Sequence, residues 1–158
     1  MIKTVPITFE YPTVVDIIKT HCGVCGILQN ADDETKIENY KQYNALWDTG
    51  ASTTCISRQI VKDLKLESRS VAFNYTAGGK IISNIYCINL LLPNRIVIKG
   101  LFVACCDLDD TDILIGMDVI TQGDMAISNY EGKTTFSFRV PTAEKIDFEK
   151  ENNNKSNK

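Results

Sequence analysis

The sequence predicts one all-β domain carrying one or two short helices. Short runs rich in valine, isoleucine and aromatic residues recur along the chain, separated by glycine, proline, asparagine and aspartate. Only residues 58–66 and 117–122 space their apolar side chains as a helix would. A double glycine, Gly78-Gly79, stands between two extended runs, which is a hairpin signal. With 158 residues the chain is long enough for one domain with a substantial core and too short for two.

Residues 1–13 form an N-terminal segment ahead of the domain, which is expected to run over 14–140. Its first strand is expected over 14–20, where Val15, Ile17 and Ile18 are apolar. Residues 21–36 contain glycines and then Asp32, Asp33 and Glu34, the pattern of an exposed excursion. A second strand over 40–47 runs into Asp48. Ser57 caps a helix over 58–66, with Ile60, Val61 and Leu64 on one face. Strands over 71–76 and 80–92 flank the Ala77-Gly78-Gly79 turn, and Pro93-Asn94 turns the chain into a strand over 96–105. An apolar strand over 112–116 ends at Gly116, and the helix after it is stopped by Gly123. Two last strands, 125–129 and 134–140, flank a turn over 130–133. Residues 141–158 turn polar and end in EKENNNKSNK, the composition of a disordered tail.

Composition narrows the function classes. At 44% hydrophobic and 23% charged, the chain is that of an ordinary soluble domain. A net charge of −3 gives no electrostatic reason to expect nucleic acid or an anionic membrane as partner. The longest apolar runs, around 81–92 and 96–106, fall well short of the roughly 20 residues that span a bilayer. The start, MIKTVPITFEYPT, has no long apolar core of an export signal. Six cysteines without an export signal suit reduced thiols. A cytoplasmic protein is expected.

The stretch NALWDTGASTTCI, residues 44–56, places a carboxylate in an unusual setting. Asp48 follows the apolar Ala45, Leu46 and Trp47 and precedes the small residues Thr49, Gly50, Ala51 and Ser52. A carboxylate at the end of a buried strand costs several kcal/mol unless main-chain donors or a partner compensate it. Asp-Thr-Gly is also a good turn, since Asp accepts backbone hydrogen bonds and Gly tolerates positive φ. A second apolar segment, Ile113, Leu114, Ile115 and Gly116, appears some sixty-five residues later and leads into a short helix.

ALWDTGA and ILIGMDVI, with the AGG hairpin tip between them, resemble the motifs of the retropepsin-like aspartic proteases, the single-domain branch that includes retroviral enzymes and their bacterial relatives. The resemblance covers residues 14–140. It implies an acid-protease fold with one lobe per chain and a flap hairpin, and an aspartic endopeptidase that needs neither metal nor cofactor. Asp48 would be the catalytic aspartate. The chain holds one Asp-Thr-Gly and no internal repeat, so a dyad requires a homodimer with the two Asp48 side chains on its axis. Asp118 does not qualify as the second aspartate, since it sits past the glycine at a helix start. In such a dyad one carboxyl keeps a proton, the ionised one activates water, and a peptide bond is cut without a covalent intermediate.

The resemblance assigns further roles position by position. Thr49 matches the residue that bonds main chain of the opposite subunit, and Gly50 the glycine that leaves room for substrate. Ala51 follows the retroviral pattern, where pepsin-like enzymes carry a hydroxyl donor to the ionised carboxylate. Its loss implies a dyad that ionises at higher pH. Ile113, Leu114, Ile115 and Gly116 match the strand under the active-site loop, and Ala77, Gly78 and Gly79 match the flap tip. Two positions depart from the retroviral pattern. Ser52 stands where an acidic residue is usual and Met117 where an arginine is usual, so a salt bridge near the dimer interface is missing.

His21-Cys22-Gly-Val-Cys25 has the spacing of half a zinc site or of a redox motif. Cys105-Cys106 is the only candidate second pair, and neighbours on a strand point to opposite faces. Free thiols are the simpler reading, with Cys55 and Cys87 as core residues. Three function classes stand at this level. The first is the homodimeric endopeptidase acting on peptide or protein substrates. The second is a weak or latent protease-fold module that binds peptides or assembles partners, and the third is a metal-binding regulatory domain.

Overall fold

The computed structural model describes residues 3–27, 40–76 and 79–150 of the chain. Ten strands form two sheets. In chain order they are β1 (Val5–Glu10), β2 (Lys19–Gly26), β3 (Lys41–Trp47), β4 (Cys55–Ser57), β5 (Ser70–Thr76), β6 (Gly79–Leu92), β7 (Ile96–Cys106), β8 (Ile113–Ile115), β9 (Asp124–Ser128) and β10 (Thr135–Val140). Helix α1 (Arg58–Asp63) follows β4, and α2 (Met117–Ile120) follows β8. This is the mostly β architecture with short helices that the sequence predicts.

The larger sheet runs β2-β3-β8-β4-β7-β6-β5, and an extra pairing of β2 with β6 closes six of its strands into a barrel. Strand β5 hangs on β6 beyond the closure. Closing a sheet on itself leaves an interior that side chains must fill. Ala45, Ile56, Ile88, Leu90, Val103, Ile113 and Ile115 fill it, all fully buried. The smaller sheet, β1-β10-β9, lies against the barrel through aromatic contacts. The Trp47 ring sits 4.8 Å from that of Phe136 and 5.0 Å from that of Phe138. Its Nε1–H donates to the buried Thr20 hydroxyl, which lets an indole be enclosed without losing a hydrogen bond.

Several elements differ from the sequence reading. Residues 14–18 are not a strand, and Val14 and Ile17 are exposed. The segment is instead held by Thr134, whose hydroxyl accepts from the Val15 N–H and whose N–H donates to the Thr13 carbonyl. The strand comes later, as β2, and takes in His21, Cys22 and Cys25. Its glycines hide the strand pattern but serve packing, because a Cβ at Gly23 would lie 2.5 Å from the Tyr40 ring. The second half of the expected excursion, residues 28–39, lies outside the described residues. Residues 1–13, set apart from the domain by the sequence, contribute β1, which pairs along its length with β10.

Other elements follow their local signals. Ser57 caps α1 by accepting from the Ile60 N–H, and the helix ends at Asp63, earlier than expected, because Leu64 caps it and Lys65 turns to positive φ. The β6–β7 turn carries positive φ at Asn94 and Arg95, the pair of conformations a tight hairpin turn requires. The β5–β6 hairpin runs in register to Thr76↔Gly79. Ala77 and Gly78 lie outside the described residues. Gly79 has φ +116°, a region that favours glycine.

Residues just past Pro141 are tied down rather than free. Asp124 accepts from the Arg139 guanidinium, the Thr142 hydroxyl and the Ala143 N–H. These donors, the Thr142 hydroxyl foremost, hold its carboxyl well below the usual carboxylate range. Residues 151–158 lie outside the described ones. A folded-state carboxyl depressed in this way stabilises above its unfolded pKa and loses that contribution as pH falls. Asp124→Ala is therefore expected to release residues 141–146 at neutral pH, read as faster tryptic cleavage after Lys145 and a lower Tm. At a pH acid enough to protonate Asp124 in the native protein, the difference from wild type should vanish.

Candidate active site

Asp48 follows β3 directly, at the point where the strand leaves the barrel. Its backbone is fixed by the neighbouring β8: the Asp48 N–H donates to the Ile115 carbonyl at 2.9 Å. The Asp-Thr-Gly turn then folds back on the side chain. The Gly50 N–H donates to Asp48 Oδ1 at 2.7 Å, and the Ala51 N–H donates to the Asp48 carbonyl at 3.3 Å. A main-chain donor to a carboxylate is a charge-assisted bond, stronger than one between neutral groups. It compensates part of the cost of placing the charge at a strand end, and the half-buried side chain keeps access to solvent. Glycine suits position 50 because a Cβ there would lie 3.1 Å from the same Oδ1.

The segment after β8 closes over this turn. The Met117 N–H donates to the Ala51 carbonyl at 2.8 Å, a second main-chain tie between the two loops. Gly116 passes so close that a Cβ would meet the Thr53 carbonyl carbon at 2.8 Å and the Ala51 oxygen at 2.9 Å. Backbone cannot give way as a flexible side chain can, which explains the glycine at the end of ILIG. Ile113, Leu114 and Ile115 pair with Ala45, Leu46 and Trp47 in parallel, so the two motifs recognised in the sequence lie side by side.

Beneath them sits a polar knot that sequence reasoning missed. The fully buried Thr54 donates its hydroxyl to Asp118 Oδ1 at 2.7 Å and its N–H to Oδ2 at 2.9 Å. The same hydroxyl accepts from the Gly116 N–H at 3.1 Å. Asp118 also accepts from its own helix, through the Val119 N–H. One threonine thereby fastens the start of α2 to the loop between Asp48 and β4. The signal was present, because Asp118 is a second carboxylate set among apolar residues in ILIGMDVI, and the argument applied to Asp48 applies equally to it.

The remaining predicted positions divide. Thr49 is exposed, and its side chain has no hydrogen-bond partner among the described residues. Ser52 is exposed and Met117 half-buried, so no charge pair links those positions. The hairpin that carries Gly79 presents Val71, Phe73 and Ile82 on one exposed face, since Phe73 pairs with Ile82 and Val71 with Asn84. Cys22 and Cys25 leave opposite faces of β2. Cys22 enters the core, where burial pushes its thiol up to about 12, and Cys25 lies across from Asn89. Cys55 and Cys87 are half-buried rather than core residues.

The structure thus places a carboxylate in an Asp-Thr-Gly turn, laced to an Ile-Leu-Ile-Gly strand at the mouth of a small β-barrel. The family model described as "gag-polyprotein putative aspartyl protease" matches residues 34–122, more than half of the chain. The chain belongs to this family of retropepsin-like aspartyl proteases. Among solved structures it is similar to a retropepsin-like aspartic protease from Rickettsia conorii, at 13% identity and TM-score 0.52, with 87% of this chain and 95% of that one covered. It is also similar to the retroviral protease-like domain of Ddi1 from Leishmania major, at 16% identity and TM-score 0.48, with 85% and 99% covered. No curated protein matches it in sequence. Together with the sheet topology, the Rickettsia likeness shows the retropepsin-like fold.

The polar knot is open to a direct test. Thr54→Val keeps the shape of the side chain but strips Asp118 of one donor and the Gly116 N–H of its acceptor. Losing these buried bonds is expected to cost about 1–3 kcal/mol in chemical denaturation. Thr54→Ser should recover most of it, since the hydroxyl is what the knot uses.

Proposed function

We propose that the protein is an aspartic endopeptidase that works as a homodimer, with Asp48 of each chain forming the catalytic pair. The placement of Asp48 carries this reading: a half-exposed carboxylate held by the Gly50 N–H at a barrel mouth, with one such turn per chain. A lone carboxylate does not supply both a base and an acid, and a second copy provides the missing group. The exposed Thr49 hydroxyl beside it suits a contact with the opposite loop. When two carboxyls share a proton, the ionised one takes a proton from water as the water attacks the scissile carbonyl. The protonated one donates to the carbonyl oxygen. The gem-diol then collapses as a proton passes to the amide nitrogen, and the two peptide fragments leave.

The β5–β6 hairpin acts as the flap in this reading. Its exposed Val71, Phe73 and Ile82 suit a peptide with apolar side chains near the scissile bond. Ala51 brings no hydroxyl to the ionised oxygen, so the enzyme works closer to neutral pH than one with serine there. The domain responsible spans 14–140 together with β1. No described helix is long and apolar enough to cross a membrane, and the irregularly spaced cysteines suit a reducing cytoplasm, bacterial enzymes being among the family's members. The second reading is a latent peptide-binding or assembly module. Ser52 and Met117 favour it, since no charge pair braces the loops where the retroviral pattern has one.

Asp48→Asn separates the two readings. Cleavage of a peptide library should fall to background while peptide binding and Tm persist, because the amide keeps the shape and the Gly50 contact. Specific activity of the wild type should also fall on dilution through the dimer dissociation constant. Full activity in a monomeric preparation, or in Asp48→Asn, would sink the shared-dyad mechanism.

The pH profile provides an independent check. Below the acid limb both carboxyls are protonated and no base remains, and above the basic limb both are ionised and no acid remains, so kcat/KM should follow a bell. Ala51→Ser adds a donor that favours the ionised form, and the acid limb should move to lower pH.

A further inference from the structure

The last residue of β7 and the first residue of β4 place two thiols against each other. Cys106 Sγ and Cys55 Sγ lie 3.0 Å apart, and both side chains are half-buried, within reach of a small solute. Neither residue belongs to the machinery described above, and the C-x-x-C of β2 does not include them. The two sulfurs share one S–H···S hydrogen bond, and a thiolate on one is stabilised by the S–H of the other; the pairing lowers the Cys106 thiol from its ordinary range and pushes Cys55 up. The shift favours the Cys106 thiolate, and the thiolate is the form that oxidants attack. Cys105, its neighbour, takes the other face of β7 and is raised by burial.

The strand register shows what a bond between the two would do. Cys55 pairs with Ala104 and Ser57 with Cys106, so Cys55 and Cys106 are diagonal neighbours on parallel strands. Their sulfurs lie 3.0 Å apart and must close to about 2.0 Å in a disulfide. Closing the bond therefore draws β4 and the end of β7 together. Strand β4 has three residues, pairs with β8 on its other side, and is preceded directly by Thr54. Thr54 is in turn the residue that holds Asp118 and the Gly116 N–H, and its carbonyl accepts from Ala104 of β7.

We propose that Cys55 and Cys106 are a peroxide-oxidisable thiol pair whose disulfide shifts β4 and loosens Thr54 from Gly116 and Asp118. The Cys106 thiolate attacks one oxygen of hydrogen peroxide. The O–O bond breaks, hydroxide leaves and is protonated to water, and Cys106 becomes a sulfenic acid. The Cys55 sulfur then attacks that sulfur, the S–O bond breaks, and the departing hydroxide takes the Cys55 proton as a second water. Two thiols are oxidised by two electrons and one peroxide is reduced to two waters. A dithiol reverses the step by exchange. Any effect on cleavage rests on the protease reading of Asp48; bond formation and the loosening of Thr54 do not.

The test treats the full chain with stoichiometric hydrogen peroxide and maps cysteine peptides without reduction. A single dithiothreitol-reversible cross-link between the peptides carrying Cys55 and Cys106 is expected. Hydrogen exchange of the amides at 116–117 should become about tenfold faster on oxidation and return on reduction, as a local opening is eased. Cys106→Ser and Cys106→Ala should abolish both effects, whereas Cys105→Ser should keep both. In Cys55→Ala, a sulfenic acid at Cys106 should be trapped by dimedone. Cross-links elsewhere, or indiscriminate oxidation of all six thiols, would overturn the pairing. A Cys55–Cys106 bond that leaves exchange at 116–117 unchanged would overturn the coupling. Loss of exchange protection without any measurable cleavage before or after would count against the protease reading alone.

Discussion

The lacing of two loops to one another underlies everything the barrel mouth does. A carboxylate at the end of an apolar strand is unfavourable unless a donor meets it; at Asp48 the Gly50 N–H does so, in a turn that two chain segments hold in place. The Asp48 N–H reaches β8, the Gly50 N–H reaches the carboxylate, and the Met117 N–H returns to Ala51. Remove the close approach of Gly116 and the turn has no floor. The glycine is dictated by backbone atoms of Thr53 and Ala51 and not by any property of the turn itself.

Stability and positioning share that arrangement. The strands that bring the two loops together, β3 and β8, are parallel neighbours inside a closed barrel. Their inward side chains, Ala45, Ile113 and Ile115, are fully buried, so displacing either loop means disturbing a packed interior. On the same face as Ala45, Trp47 immediately before Asp48 packs on Phe136 and Phe138 of the smaller sheet. The carboxylate is thus aimed by a rigid frame, as any group that must meet a partner to within a fraction of an ångström requires. Thr54 and Asp118 complete the frame from below, where four hydrogen bonds join the Thr54 hydroxyl and N–H and the Gly116 and Val119 N–H groups to the half-buried Asp118 carboxylate and to one another.

A single lobe also explains why the proposed chemistry reaches outside the chain. The site offers one carboxylate and one threonine hydroxyl without a partner among the described residues, and a symmetric partner would supply their mirror images. Control of such a site is effective at the elements that hold the loop rather than at the carboxylate. The thiol pair at the start of β4 is one such element, because β4 is short, shared between two neighbours, and continuous with Thr54.

The sequence by itself determined the fold class and the two motifs, because both are local. Alternating apolar runs, the Asp-Thr-Gly turn, the Ile-Leu-Ile-Gly strand, the Ser57 cap and the Gly79 hairpin depend on neighbours a few residues away. It misplaced β2 because Gly23, His21 and Cys22 disguise a strand whose glycine exists to admit the Tyr40 ring. It set β1 outside the domain because an edge strand carries a weak apolar signal, and its membership is decided by pairing with β10, some 130 residues later. It dismissed Asp118 as a helix-start residue, since nothing local reveals that Thr54 waits beneath it. The meeting of Cys55 with Cys106 was equally hidden, as it depends on the parallel register of two strands separated in the chain by α1 and the β5–β6 hairpin. Local chemistry wrote the elements, and the tertiary structure decided which distant residues would share a hydrogen bond, because only closure of the barrel brings their strands side by side.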